Sequence, residues 1–429
     1  MTTILTETGW ENENGNLLGT WTNRADLVDE SDEITVAEGV MVNTLGGGDK
    51  ITGIGETART VLFYGLRTIG IYNGSNSTIN TYTGKDKLTG DGNIGIYNEF
   101  NSTIDTGSGI DEITGIAGQT NGTTNNTIGI LNDGTINTGN GGDSITGNAT
   151  GDFPGGIVNF GYIDTGSGDD KIAGDGKSGG VNNGAGGTIN TGNGKDSIIG
   201  TSSQDWGVYN GGFDESGTPT INTGNGDDII IGTTTGNRGA GIASVLKGTI
   251  NTGSGNDSII GTGFIAGITC TEEGTIDTGN GNDIITGTGD INGIAIGSFS
   301  GSNSSKGNIN TGKGNDIITG IGGIFNDTLG TINTGAGRDT VDAFTGGFSG
   351  SGSIYLGVGR DLIRGFGEQI VDGGQGLDTA ELGIDYNQNL LSLGSSFDIK
   401  VGDMLFSNVE EFTFTDRSFT LEELQAEVI

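Results

Sequence analysis

The chain has 429 residues, of which 90 are glycine and only 2 proline, with no histidine, 1 cysteine and a formal net charge of −36. These counts exclude histidine-based nucleophilic catalysis, histidine-ligated zinc or haem, internal disulfides and thiolate clusters. Such acidity repels nucleic acid and anionic lipid and favours cations or basic partners, while no run reaches the roughly 18 apolar residues that span a bilayer.

The first residues, MTTILTETGWENENG, have neither a basic nor a hydrophobic signal region, so no cleavable signal peptide is expected. Residues 1–40, with Trp10 and Trp21, precede the first clear repeat and are expected to form an N-terminal cap.

Residues 41–343 carry a strict repeat, as in INTGNGDDIIIG from Ile221, INTGSGNDSIIG from Ile250 and INTGKGNDIITG from Ile309. Thirteen copies, continuing beyond 343, centre on Asp49, Asp86, Asp111, Asp143, Asp170, Asp196, Asp228, Asp257, Asp283, Asp316, Asp339, Asp361 and Asp378. Their mean spacing of about 28 residues is a solenoid period. Low hydrophobicity and high charge would otherwise point to disorder, but the apolar residues keep a fixed phase. Val or Ile stands seven residues before every aspartate, and Ile, Leu or Val stands two after it in all copies but one, which has Ala380. Glycine stands two before it throughout, and four before it except at Leu45 and Tyr82. Between these motifs recurs a second element, GIYN at Gly70 and Gly95, GILN at Gly129, GIVN at Gly156, GVYN at Gly207 and GIFN at Gly323.

Each unit therefore offers three short strands, GIxN, TIN and DxIxG. None is stable alone, but stacked copies bury their aliphatic side chains on one another. The expected fold is an all-β parallel β-solenoid, resembling a β-helix or β-roll, of about 12–13 coils with N- and C-terminal caps. Inward asparagines of GIxN are expected to form a hydrogen-bonded ladder, in which Cys270 occupies one place as a buried small residue. Residues 344–429 hold the last repeats and eight of the sixteen phenylalanines, including Phe397, Phe406, Phe412, Phe414 and Phe419. The ending TLEELQAEVI predicts a short capped helix, with Thr420 and Glu423 spaced as a capping box and Leu421 and Leu424 sharing a face.

A GxGxD turn offers backbone carbonyls and one carboxylate. Calcium takes 6 to 8 hard oxygens in tolerant geometry, and two turns stacked about 4.8 Å apart can supply them. Thirteen turns leave up to twelve gaps. Unpaired stacked carboxylates repel, so cations should stabilise the fold by linkage. The alternative without metal is that the aspartates bond their own turn amides.

TGNGNDIIT from Thr278 and GGQGLDTAE from Gly373 resemble the GGxGxDxUx nonapeptide of RTX, or hemolysin-type, calcium-binding repeats. The resemblance implies multiple Ca2+ ions bound between coils by the thirteen aspartates, with carbonyls such as those of Gly279 and Gly281 completing the shell. It also implies folding by metal outside the cell, after type I secretion through an uncleaved C-terminal signal. The wide spacing here implies broader coils and a single metal row. Asn or Asp precedes the motif aspartate at Asp169, Asp227, Asn256, Asn282 and Asn315, which suits calcium; Lys85, Lys195, Arg338 and Arg360 are expected to weaken adjoining gaps.

The functional expectation is a secreted, non-enzymatic, calcium-binding structural or adhesive module, with cell-surface polysaccharide or other copies of itself as partners. An ice- or carbohydrate-binding solenoid is an alternative, because pairs such as Thr135 and Asn137, Thr188 and Asn190, and Thr220 and Asn222 recur on an outward face. A polysaccharide-active enzyme is a further one, for which the insert from Gln204, with Asp205, Asp214 and Glu215, is the irregular segment.

Overall fold

The computed structural model describes residues 3–6, 9–12, 17–20, 27–29, 34–36, 40–44, 47–54, 58–61, 65–118, 127–151, 155–212, 217–297, 306–394 and 398–428. Trp21, Leu45, Asp214, Glu215 and Phe397 lie outside them. Two compact units, 1–236 and 237–429, are each built from the same coil.

One coil of the first unit shows the plan: strand Ile94–Asn98, strand Thr103–Asp105, the glycine turn, then strand Glu112–Ala117. Each pairs in parallel with its counterparts in the neighbouring coils, without register shift. Ile96 lies against Ile71 and Ile130, Ile104 against Ile79 and Ile136, and Ile113 against Leu88 and Ile145. The second unit repeats this, with Ile268 against Ile242 and Ile294, Ile276 against Ile250 and Ile309, and Ile285 against Ile259 and Ile318. These aliphatic columns are 0–1% exposed, and each residue buried this way stabilises by about 1.5–3 kcal/mol. The fold is a parallel β-solenoid.

Glycine sets how closely the strands of one coil approach. A Cβ on Gly115 would stand 2.0 Å from the Gly129 carbonyl oxygen, and one on Gly147 2.1 Å from that of Gly156. The glycine of DxIxG therefore meets that of GIxN without room for any side chain.

The asparagine ladder is present in the first unit. Nδ2 of Asn73 donates to Oδ1 of Asn98, and the series continues through Asn132, Asn159, Asn183 and Asn210 at 2.7–2.8 Å. In the second unit the same register carries Ser244, Cys270 and Ile296, all fully buried. The outer side of GIxN is also covered in the first unit, where Tyr97, Leu131 and Val158 form an apolar cluster with Ile69, Ile94 and Ile128.

Antiparallel strands appear at both chain ends. Thr3–Thr6 pairs antiparallel with Gly9–Asn12 and parallel with Ile34–Val36. Ile399–Val401 pairs antiparallel with Asp403–Ser407, and Glu411–Thr413 with Ser418–Thr420. Phe406 and Phe412 are fully buried there, edge to face at 5.2 Å. Helix Leu421–Ala426 follows, with both halves of the Thr420–Glu423 capping box formed and Leu424 buried. Among the described residues no helix is long and apolar enough to cross a membrane.

Candidate metal centre

The GxGxD turns stack as tightly as the strands. In the turn Thr106–Asp111, Gly107 has φ +82°, and the equivalent glycines of later coils lie between +82° and +95°. Tyr82 takes the same place at φ +64°, a conformation that costs a side-chain-bearing residue about 1–2 kcal/mol. A Cβ on Gly109 would stand 1.4 Å from the carbonyl oxygen of Gly84, and one on Gly281 1.4 Å from that of Gly255. Glycine two residues before the aspartate is thus fixed by the backbone of the preceding coil.

All thirteen predicted aspartates are brought into columns, seven in the first unit and six in the second, and every one is 0–2% exposed. In each, the backbone N–H of one aspartate donates to Oδ1 of the aspartate in the following coil. The distances run from 2.6 to 2.9 Å along Asp49, Asp86, Asp111, Asp143, Asp170, Asp196 and Asp228. They are 2.8 Å along Asp257, Asp283, Asp316, Asp339, Asp361 and Asp378. Eleven of the thirteen carboxylates, from Asp86 to Asp228 and from Asp283 to Asp378, thus accept the amide of the preceding coil's aspartate.

That bond uses one oxygen. Among the described residues no donor meets Oδ2 of Asp111, Asp143, Asp170, Asp196, Asp283, Asp316, Asp339, Asp361 or Asp378 in full hydrogen-bond geometry, and all nine are buried. A buried carboxylate oxygen left in this state is costly unless protonated or matched by a cation. Burial pushes the carboxyls of Asp86, Asp196, Asp283 and Asp378 up to about 6, and those of Asp170 and Asp339 up to about 7. The amide hydrogen bond pulls the other way, as does the hydroxyl of the threonine five residues earlier in all of these but Asp378, and neighbouring carboxylates in the column raise the values further. Asp111, Asp143, Asp228, Asp316 and Asp361 are raised as well, burial again being the main cause.

The donor set fits a hard divalent cation: carboxylate oxygens, glycine carbonyls and hydroxyls, with no nitrogen or sulfur. Among the described residues no three acidic, histidine or cysteine side chains converge on one point. The rest of any coordination shell must therefore come from neutral oxygens.

Two contributors were not apparent from the sequence. Threonine stands five residues before the aspartate in eleven of the thirteen copies, from Thr44 to Thr334, and all eleven are 0% exposed. The Thr44 hydroxyl donates to Asp49 Oδ2, and that of Thr81 to Asp86 Oδ2 at 2.9 Å. The signal was the strictness of the threonine itself. The second is Glu410, whose Oε2 accepts the N–H of Asp378 at 2.8 Å and so takes the next place in the column.

The residues just before the motif aspartates lie elsewhere than expected. Asn256, Asn282 and Asn315 are exposed, and Asn256 and Asn282 accept the following coil's amide on the outer side of the turn. Asp169 does the same for Lys195 N–H, while Lys195 Nζ pairs with Asp227 at 2.8 Å. The pleat that turns the aspartate inward turns its predecessor outward, so Lys85, Lys195, Arg338 and Arg360 face solvent.

The outward Asn and Asp side chains of the TIN strands also bond along their row, as Asn222 to Asn190 at 2.8 Å and Asn310 to Asp277 at 3.1 Å. A cavity of about 340 Å³ in the first unit is lined by residues including Thr150, Lys177 and Thr201, with Asp175 the single carboxylate among the described lining residues.

No protein-family model matches the chain, and no curated protein matches it. Among solved structures, it is similar to a hyperactive, Ca2+-dependent, β-helical antifreeze protein from an Antarctic bacterium, at 18% identity over 97% of each chain and a TM-score of 0.42.

Proposed function

We propose that this protein is a calcium-loaded, RTX-like β-solenoid, a secreted structural or adhesive module whose coils are locked together by ions in the GxGxD turns. The observation that carries the reading is the set of nine buried Oδ2 atoms that no donor among the described residues meets in full hydrogen-bond geometry, stacked in a chain of charge −36. Calcium between successive turns would match those oxygens, remove the repulsion along the column and favour folding where the ion is abundant. The role is non-catalytic, export uses the C-terminal region, and partners are cell-surface polysaccharide or other copies. Seven aspartates in one unit and six in the other leave six and five gaps within them. Equilibrium dialysis of chelator-stripped protein, with bound metal counted by elemental analysis, tests this: several calcium ions per chain are expected, and a chain retaining none refutes it.

A second reading, binding to an ordered surface such as ice, is favoured by one observation. In the second unit the outward residues of three adjacent DxIxG strands are Ser258, Ile260, Thr262, Ile284, Thr286, Thr288, Ile317, Thr319 and Ile321, in register and without a charge. Such a regular array of methyls and hydroxyls suits a repeating, uncharged lattice.

A further inference from the structure

We propose that the buried threonine five residues before each aspartate is a neutral hydroxyl ligand of the cation that the aspartate holds; this rests on the calcium reading above. The hydroxyls of Thr138, Thr165 and Thr191 donate to the carbonyl of the equivalent threonine in the following coil, at 3.3–3.4 Å. Those of Thr278, Thr311 and Thr334 donate likewise to the carbonyls of Thr311, Thr334 and Leu356, at 3.4, 3.1 and 2.7 Å. A hydroxyl has one proton. Each of these hydroxyls also lies close enough to the carboxylate of its own coil to pull that carboxyl's pKa down, as Thr81 does while 3.3 Å from the Thr106 carbonyl oxygen; a cation on the carboxylate would leave the proton to the carbonyl and turn the hydroxyl lone pairs to the ion.

The aspartate oxygen nearby carries only lone pairs. Thr81 and Asp86 show that a threonine and the aspartate five residues on can bring these oxygens to 2.9 Å. In the coils of Asp143, Asp170, Asp196, Asp283, Asp316 and Asp339, no donor among the described residues meets Oδ2 in full hydrogen-bond geometry, and the threonine hydroxyl is the polar group that acts on the carboxyl from its own coil. An ionised carboxylate oxygen held this weakly in a water-free interior is poorly matched, and a hard cation shared between it and the hydroxyl oxygen would match both. The donated proton orients the hydroxyl so that its lone pairs face the ion.

The chain contains its own comparison. Leu356 and Gly373 take the threonine place ahead of Asp361 and Asp378, so those turns lack the hydroxyl and must bind through carboxylate and carbonyls alone. They are expected to be the weakest sites.

Calorimetric calcium titration of the full chain tests the assignment. Thr278→Val with Thr311→Val keeps the shape and removes two hydroxyls; two sites should lose affinity by roughly tenfold or more, and Thr→Ser at the same places should retain it. Leu356→Thr should tighten the site at Asp361. Wild-type stoichiometry and affinity in the valine pair, or an equal loss in the serine pair, overturns the inference. If the valine pair does not fold, Leu356→Thr decides, with unchanged or weaker binding counting against it. A wild-type chain that binds no calcium refutes the calcium reading itself, and is recognised before any variant is compared.

Discussion

The backbone N–H of Asp170 donates to Oδ1 of Asp196 at 2.9 Å, while no donor among the described residues meets the equally buried Oδ2 in full hydrogen-bond geometry, the Thr191 hydroxyl being the side chain that pulls its pKa down. One oxygen of the carboxylate is thus used by the backbone of the preceding coil and the other is available. That division makes the column a structural staple and a candidate ligand row at once.

Asp196→Asn keeps an oxygen to accept the Asp170 amide and removes the charge. In chelator-treated protein this variant should be more stable than wild type by about 1–3 kcal/mol, the cost of an unsatisfied buried group. In excess calcium it should be less stable and bind fewer ions. Thermal unfolding under both conditions measures this, and loss of stability in both would leave the carboxylate a purely structural role.

The pH dependence of the metal-free chain has a defined sign. An aspartate whose folded pKa of about 6 or 7 exceeds the ordinary 3.8 holds its proton preferentially when folded. Its contribution is fully present below pH 3.8 and is lost as pH rises through 6 to 7. Every tenfold difference in proton affinity between the folded and unfolded chain corresponds to about 1.4 kcal/mol. Chelated protein should therefore melt highest near pH 4 and weaken steadily to pH 7.5. Calcium-loaded protein should show the opposite slope, because ligation needs the ionised carboxylate. Melting curves against pH, with and without chelator, check both slopes.

The main outline of the fold was legible in the sequence because Ile104 and Ile113, seven before and two after Asp111, each stack on their own kind in the next coil. The inward direction of the aspartate was less legible. Strict alternation from Ile104 turns Thr106 inward and would turn Asp111, an odd number of residues from each, outward; the two glycines between them reverse the phase. For the same reason Thr106 reads as an ordinary strand residue, and Glu410 is hidden because its turn is not of the GxGxD type. The place of Cys270 in the asparagine register was legible, but the replacement of the amide in its neighbours Ser244 and Ile296 was not singled out, because their strands lack the GIxN pattern.

Gly109→Ala should be among the most damaging single changes. Its Cβ would fall 1.4 Å from the Gly84 carbonyl oxygen, so the coils must part to admit it. A loss of about 4 kcal/mol or more is expected, with calcium unable to restore the wild-type melting temperature. Gly118→Ala, with no atom of the described residues within 4 Å of the added one, is the control and should be close to neutral.

Asn132→Ala removes the Nδ2 donor to Asn159 Oδ1 and the acceptor for Asn98 Nδ2, each at 2.8 Å. Both neighbours are left buried and partly unpaired, so a loss of about 2–5 kcal/mol is expected from two unsatisfied groups and a small cavity. The loss should be the same with and without calcium. Denaturant unfolding at both conditions measures it, and strong calcium dependence would tie the ladder to the metal row instead.

Far-UV circular dichroism of chelator-stripped protein at pH 7.5, followed through a calcium titration, separates a fold built by metal from one that stands without it. The stripped chain should be largely unfolded or marginally stable and should gain β structure as several calcium ions bind per chain. A stripped chain already fully folded at that pH, with an unchanged spectrum and melting temperature on adding calcium, would contradict the metal-built fold and leave the aspartate columns as metal-free hydrogen-bond ladders.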